Sequence, residues 1–141
     1  MKVETKRFHP DAVLPKFALK TDTAMDVFAL ERTILVPGNV TKVRTGVGID
    51  VPVGYAYFIK DKSSVGSMGV TTLGGVFDAG YQGEIIAIMF NLTDQEIIFE
   101  KAQKLCQIVF MKIEQPKLVE VVEFSEMTER GVGGFGSTGA K

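Results

Sequence analysis

The sequence predicts an all-β domain of many short strands, a β-sandwich, jelly roll or barrel, and three observations carry that prediction. Across residues 42–51, Val43, Thr45, Val47, Ile49 and Val51 alternate with Lys42, Arg44, Gly46, Gly48 and Asp50, the period-two pattern of a half-buried strand. Further short runs rich in Val, Ile and Phe recur along the chain, the composition that suits a pleated surface. Turn-forming residues separate the runs, and no stretch of about ten residues or more carries a convincing helical period.

After the strand at 42–51, Pro52-Val53-Gly54 marks a turn, and residues 55–59 read as the next strand. Residues 63–68 accommodate a helical turn or two. Leu73-Gly74-Gly75 marks another turn, and strands are predicted over 84–92, 96–99, 105–113 and 118–124, with Thr93-Asp94 turning the chain between the first two of these. The runs Ile85 to Phe90 and Ile108 to Met111 are apolar on both strand faces. Either these are central strands buried within one chain, or a second subunit covers the excess. From Arg130 onward the chain is too rich in glycine for strand or helix and reads as a mobile tail in the absence of ligand.

Composition narrows the function. With 141 residues and 45% hydrophobic residues, the chain suits one domain with one modest core. Its 16 Lys+Arg against 17 Asp+Glu give a net charge of −1, so no global field attracts nucleic acid or an anionic membrane, and neither is expected as a partner. An anionic ligand would need a local site. The single Cys106 lies in an apolar run and cannot form an internal disulfide, which suits a reducing, intracellular and cytoplasmic setting. No signal-like stretch opens the sequence and no run approaches the ~18 apolar residues of a membrane span. The glycosylation patterns at Asn39 and Asn91 therefore read as chance matches. The lone His9 reads as a surface residue.

Two phosphate-binding patterns in the tail fail on physical grounds. Gly131-x-Gly133-x-x-Gly136 lacks the flanking strand and the following helix that a dinucleotide fingerprint needs. The spacing from Gly131 to Gly136 before Ser137-Thr138 imitates a P-loop without its lysine. A ribbon with free backbone N–H groups, Arg130, Phe135, Ser137 and Thr138 is nevertheless suited to wrapping a nucleoside phosphate.

Five segments stand together in a telling order: Thr23-Ala24-Met25-Asp26-Val27, Lys62-Ser63-Ser64-Val65-Gly66, Gly75-Val76-Phe77-Asp78-Ala79-Gly80-Tyr81-Gln82-Gly83-Glu84, Lys104-Leu105-Cys106-Gln107, and Arg130 to Gly139. In order and spacing they resemble the motifs of the trimeric dUTPase family. The resemblance implies a jelly roll, or distorted β-barrel, of the dUTPase type that assembles as a homotrimer with shared active sites. It implies a β domain over residues 1–129 and a glycine-rich arm over 130–141 that closes on the bound nucleotide. The implied activity is hydrolysis of dUTP to dUMP and pyrophosphate with Mg²⁺, keeping uracil out of DNA and supplying dUMP for thymidylate synthesis.

Residue by residue, the resemblance makes Asp78 the water-activating carboxylate and Tyr81 the ring that packs on deoxyribose and leaves no room for a 2′-hydroxyl. Gly75, Val76 and Phe77 would read the uracil edge through their backbone. Asp26 would orient waters on Mg²⁺, and Lys62, Ser63, Ser64 and Gln107 would contact the phosphates. Arg130, Ser137 and Thr138 would hold the outer phosphates, Gly136 would also contact the substrate, and Phe135 would cover the base. Lys62 and Lys104 stand where the family usually has arginine, offering a point charge in place of a two-pronged donor. Ala24 replaces a frequent glycine and Gly80 a common acidic residue. Two other readings compete. A dCTP deaminase, alone or bifunctional, would need a glutamate where this chain has Ile88; a non-catalytic nucleotide-binding trimer would need neither Asp78 nor Tyr81.

Overall fold

The computed structural model describes residues 1–134. Along the chain run β1 (Glu4–Arg7), β2 (Met25–Phe28), β3 (Thr33–Leu35), β4 (Val40–Arg44), β5 (Val47–Asp50), β6 (Tyr55–Lys60), the single helical turn α1 (Ser63–Gly66), β7 (Val70–Leu73), β8 (Val76–Phe77), β9 (Ile86–Asn91), β10 (Ile97–Phe99) and β11 (Lys104–Lys112). The strands form a four-stranded sheet in the order β2-β11-β6-β8, a three-stranded sheet β4-β9-β7, and the pairs β1-β5 and β3-β10. Every pairing is antiparallel. Both larger sheets feed one core, with Val27, Tyr57, Ile59, Leu105 and Ile108 from the first and Val43, Val70, Ala87 and Met89 from the second. Among the described residues no helix is long and apolar enough to cross a membrane.

The apolar positions at 42–51 are buried, together with Gly46 and Gly48 between them, but they do not make one strand. Val43, Thr45, Val47, Ile49 and Val51 are all buried, yet the segment divides into β4 and β5, which pair in different sheets. The break falls at Thr45-Gly46, where Gly46 takes φ +71° and a Cβ would lie 2.8 Å from that of Ala12. Only glycine meets both conditions. The buried Thr45 hydroxyl donates to the Ile85 carbonyl at 2.7 Å, so the crossing between sheets leaves no unmet polar group there.

The predicted strand at 118–124 does not form. Leu118, Val119, Val121, Val122 and Phe124 all face solvent, Val122 completely. Such a segment has strand composition but pairs with no strand among the described residues. The strand β9 buries Ala87, Met89 and Asn91 while Ile86, Ile88 and Phe90 are only half-buried, so its second apolar face is not fully covered by one chain. The Asn91 side chain is wholly buried and fully bonded, donating to the carbonyls of Leu35 and Gln95 and accepting from Thr93. That geometry removes it as a glycan acceptor. Cys106 is buried too, and burial pushes its thiol up to about 12, so it serves as a small apolar side chain.

Candidate active site

The four-stranded sheet brings three of the five sequence segments to one place. Gln107 on β11 stands directly opposite Asp26 on β2, and Lys104 stands opposite Phe28, two residues further along β2. Asp26 and Phe28 share a sheet face. Lys104 and Gln107, three apart, would fall on opposite faces of a regular strand. A register shift between Lys104 and Cys106 inserts one extra residue into β11 and returns both side chains to the face of Asp26.

Asp26 is the hub. It is 5% exposed, and its carboxylate accepts from Lys62 Nζ at 2.9 Å through Oδ1 and from Lys104 Nζ at 2.6 Å through Oδ2. Burial by itself raises the Asp26 carboxyl. The hydrogen bonds and charge of Lys104 and Lys62 outweigh that and hold it below the ordinary aspartate value. Two ammonium groups against one carboxylate leave one unit of positive charge, a local anion-attracting spot on a chain whose net charge is −1. Lys62 is thus tied to Asp26, and not held free beside the exposed Ser63 and Ser64.

The segment before Lys62 is pinned from two sides. The Asp61 carboxylate accepts from the Thr72 N–H at 2.7 Å and from the hydroxyls of Thr72 and Thr71 at 2.6 and 2.8 Å. Its carbonyl accepts from Gln107 Nε2 at 2.9 Å. Burial pushes the Asp61 carboxyl up, but the bonds from Thr72 and Thr71 pull it below its usual value. Nothing in the sequence singled Asp61 out, because its partners lie on β7 and β11 and are fixed only by folding.

A second group forms at the hairpin that follows β7. Ile59 N donates to the Gly75 carbonyl at 2.8 Å, and Gly75 takes φ +91° with Ile59 packed at 3.1 Å from where a Cβ would sit. The strand β8, Val76–Phe77, then leads to Asp78, whose carbonyl accepts from Tyr81 N in a tight turn with Gly80 at φ +85°. Positive φ at the third position marks a type II turn and explains a glycine there. The Asp78 side chain is exposed. Tyr81 is 43% exposed and its hydroxyl donates to the Glu84 carbonyl at 2.9 Å. Glu84 is itself held by Arg44 at 3.0 Å and by Gly46 N at 2.7 Å. Among the described residues no hydrogen bond or ion pair joins the Asp78 side chain to the Asp26 group.

Sequence comparison decides the family. The dUTPase family profile matches residues 11–139, and the deoxyuridine 5'-triphosphate nucleotidohydrolase of Hydrogenobaculum sp. is 37% identical across 100% of both chains. The chain belongs to the dUTPase family. A similar relative from Thermobifida fusca is 39% identical over 99% of this chain and 79% of its own. The dUTPase of Staphylococcus bacteriophage 80alpha, solved with dUPNHPP, superposes with a TM-score of 0.89 at 26% identity, covering 98% of each chain. The dUTPase of phage phi11 of S. aureus shares the fold, with a TM-score of 0.83 at 23% identity over 90% of this chain and 100% of its own.

Within this dUTPase fold the fifth segment is only partly described. Arg130 is exposed where two turns overlap, with Gly131 N donating to Thr128 O and Gly133 N to Arg130 O. Phe135, Gly136, Ser137 and Thr138 lie outside the described residues. Among the described residues no cluster of three or more His, Cys, Asp or Glu side chains is assembled for a metal.

Proposed function

We propose that this chain hydrolyses dUTP to dUMP and pyrophosphate, with water attacking the α-phosphorus. The observation that carries the reading is the convergence on strand β6: it leads directly into the Asp61–Lys62 corner that meets Asp26, Lys104 and Gln107, and it pairs with the hairpin strand that leads to Asp78 and Tyr81. One group is cationic and suited to a triphosphate. The other offers an exposed carboxylate and a ring.

In this reading Asp78 takes the proton of the attacking water, and Lys62, Ser63, Ser64 and Gln107 contact the phosphates. A carboxylate is a weak base toward water, so positioning and electrostatics supply most of the acceleration. Gly75, Val76 and Phe77 present backbone groups to the uracil, and Tyr81 packs against the deoxyribose, where a 2′-hydroxyl would clash and lose its partners. Arg130, Phe135, Gly136, Ser137 and Thr138 form an arm, residues 130–141, that closes on the nucleotide beyond the β domain of residues 1–129.

Asp26 suits an outer-sphere role toward Mg²⁺. Lys62 and Lys104 occupy two of its roughly four acceptor positions, which leaves room for a metal-bound water but makes no cage. Mg²⁺ favours phosphate oxygens and keeps several waters, and carried by the triphosphate it would neutralise charge on the phosphates. Lys62 and Lys104 add fixed positive charge beside it.

The assembly we propose is a homotrimer with sites shared between subunits. Support comes from the exposed apolar segment 118–124, from the half-buried outer face of β9, and from the lack, among the described residues, of a side-chain link between Asp78 and the Asp26 group. A cytoplasmic setting fits both a deoxynucleotide substrate and the buried thiol of Cys106. The test is pyrophosphate release from dUTP, UTP, dCTP and dTTP, each with and without Mg²⁺. Rapid release from dUTP alone, dependent on Mg²⁺, is expected; equal rates on all four, or none on dUTP, would overturn the proposal.

A further inference from the structure

The four-stranded sheet carries a row of aromatic rings that the chemistry above does not use. Phe110, Tyr57 and Phe77 are direct cross-strand partners on β11, β6 and β8, so all three stand on one face of the sheet. The Tyr57 and Phe77 rings stack with centroids 4.6 Å apart and planes 6° from parallel. Phe110 leans on the other flank of Tyr57 at 5.7 Å. Phe77 in turn meets Tyr81 at 5.7 Å with planes at 57°. The chain of contact therefore runs from the middle of the sheet to the exposed ring of Tyr81.

Two features single out Tyr57 in that row. Its side chain is fully buried, and its hydroxyl is the one buried side-chain polar atom without a hydrogen-bond partner among the described residues. Such a hydroxyl is a cost that a phenylalanine would avoid, so the useful part of Tyr57 is its ring. That ring meets Phe110 on one flank and Phe77 of the hairpin on the other; beside this stack the hairpin is tied by the Ile59 N–H to the Gly75 carbonyl and by the Tyr81 hydroxyl to the Glu84 carbonyl. The strand β8 is two residues long and makes two ladder pairs with β6, and Val76, the other residue of β8, is exposed.

We propose that Tyr57 is a positioning residue for sugar selection: its ring, stacked on Phe77, fixes where the Tyr81 ring stands, although Tyr57 itself is buried away from any substrate. The inference rests on the reading that Tyr81 faces the deoxyribose. A ring contact of this kind is worth enough to change a ratio of rate constants by about 3- to 10-fold.

The test is to measure kcat and KM for dUTP and for UTP on the full chain and on its Tyr57→Phe and Tyr57→Leu variants, with melting temperature and solution mass recorded alongside. The Tyr57→Phe variant should keep the dUTP-over-UTP ratio of kcat/KM within about 2-fold, because the stack survives. In Tyr57→Leu the ratio should fall by about 3- to 10-fold. Should the leucine variant fail to fold, Phe77→Leu breaks the same stack from the half-buried side and should lower the ratio similarly. A lower melting temperature with an unchanged ratio would make Tyr57 a core filler and overturn the proposal, as would equal losses in the phenylalanine and leucine variants. Wild-type enzyme with no preference for dUTP over UTP would overturn the reading of Tyr81 itself; an intact preference in Tyr57→Leu overturns only the role given to Tyr57.

Discussion

Replacing Gly83 with alanine separates specificity from stability. A Cβ at Gly83 would sit 2.6 Å from Cζ of Tyr81 and 2.5 Å from its hydroxyl oxygen, whereas ordinary contact begins at 3.4 Å, so the ring must withdraw by roughly 0.8 Å. The backbone does not resist the change, since Gly83 is not among the glycines with positive φ. Withdrawal breaks the 2.9 Å bond from the Tyr81 hydroxyl to the Glu84 carbonyl, a loss of about 0.5–1.5 kcal/mol. Removing a glycine from the unfolded chain returns about 0.4–1 kcal/mol, so the melting temperature should move by only a few degrees. Selectivity should not be spared. A misplacement of about 1 Å in a positioned group costs up to roughly 100-fold, and we expect the dUTP-over-UTP ratio of kcat/KM to fall by about 10- to 100-fold. Steady-state pyrophosphate release on the two nucleotides, beside a thermal melt, provides the check. A variant that melts as wild type and discriminates as wild type would refute the idea that the Tyr81 ring, in this place, excludes the 2′-hydroxyl.

Other predictions concern the charged hub, a strained turn and the arm. Asp26→Asn removes the carboxylate shared by Lys62 and Lys104, and should cost about 1–3 kcal/mol at neutral pH, less than a fully buried pair because both lysines keep solvent contact. Since the folded-state pKa of Asp26 is depressed, its contribution is present above the ordinary value of 3.8 and is lost as pH falls through the lower folded value. Denaturant midpoints measured from pH 6 downward to about pH 2 should therefore fall less steeply for Asp26→Asn than for wild type; parallel curves would contradict the assignment. Ala102 is the one non-glycine residue with positive φ among the described residues, at 63°, a conformation that costs an L-residue about 1–2 kcal/mol. Ala102→Gly should raise stability by up to about 1 kcal/mol in chemical denaturation, and a destabilised variant would count against the strain. Deletion from Arg130 onward should lower dUTP turnover severely while leaving solution mass and the melt intact, and a truncated chain with full turnover would contradict the arm.

Much of the fold was legible because short strands announce themselves when they are amphipathic or apolar. The strands β6, β9, β10 and β11 fall within two residues of where the apolar runs placed them. The strand β1 was not legible, since Glu4–Arg7 is polar and exposed at every position and so carries no apolar alternation. The break at Gly46 was hidden for the opposite reason: the alternation of residue types runs on through Thr45 and Val47, so the pattern survives a change of sheet although every residue from 45 to 49 is buried. The segment 118–124 shows that strand composition is not enough: it pairs with no strand among the described residues and stays exposed.

The candidate site was legible as residue types and not as partners. Asp26, Lys62 and Gln107 stood out through the family resemblance as separate contacts to metal and phosphate, but the ion pairs that tie Lys62 and Lys104 to Asp26 depend on an extra residue in β11. No spacing rule reveals that bulge. Asp61, Glu84 and Tyr57 were passed over because each acts through a neighbour brought close only by the tertiary fold.

The most direct measurement of the central claim compares wild type with Asp78→Asn, using single-turnover rates for dUTP hydrolysis together with the equilibrium dissociation constant of a non-hydrolysable dUTP analogue. Asp78 is exposed at the hairpin turn, and the charge removed acts on the attacking water. Turnover should be abolished while the dissociation constant changes by less than about 3-fold. Hydrolysis that persists in Asp78→Asn, or a rate lost only in proportion to binding, would contradict it.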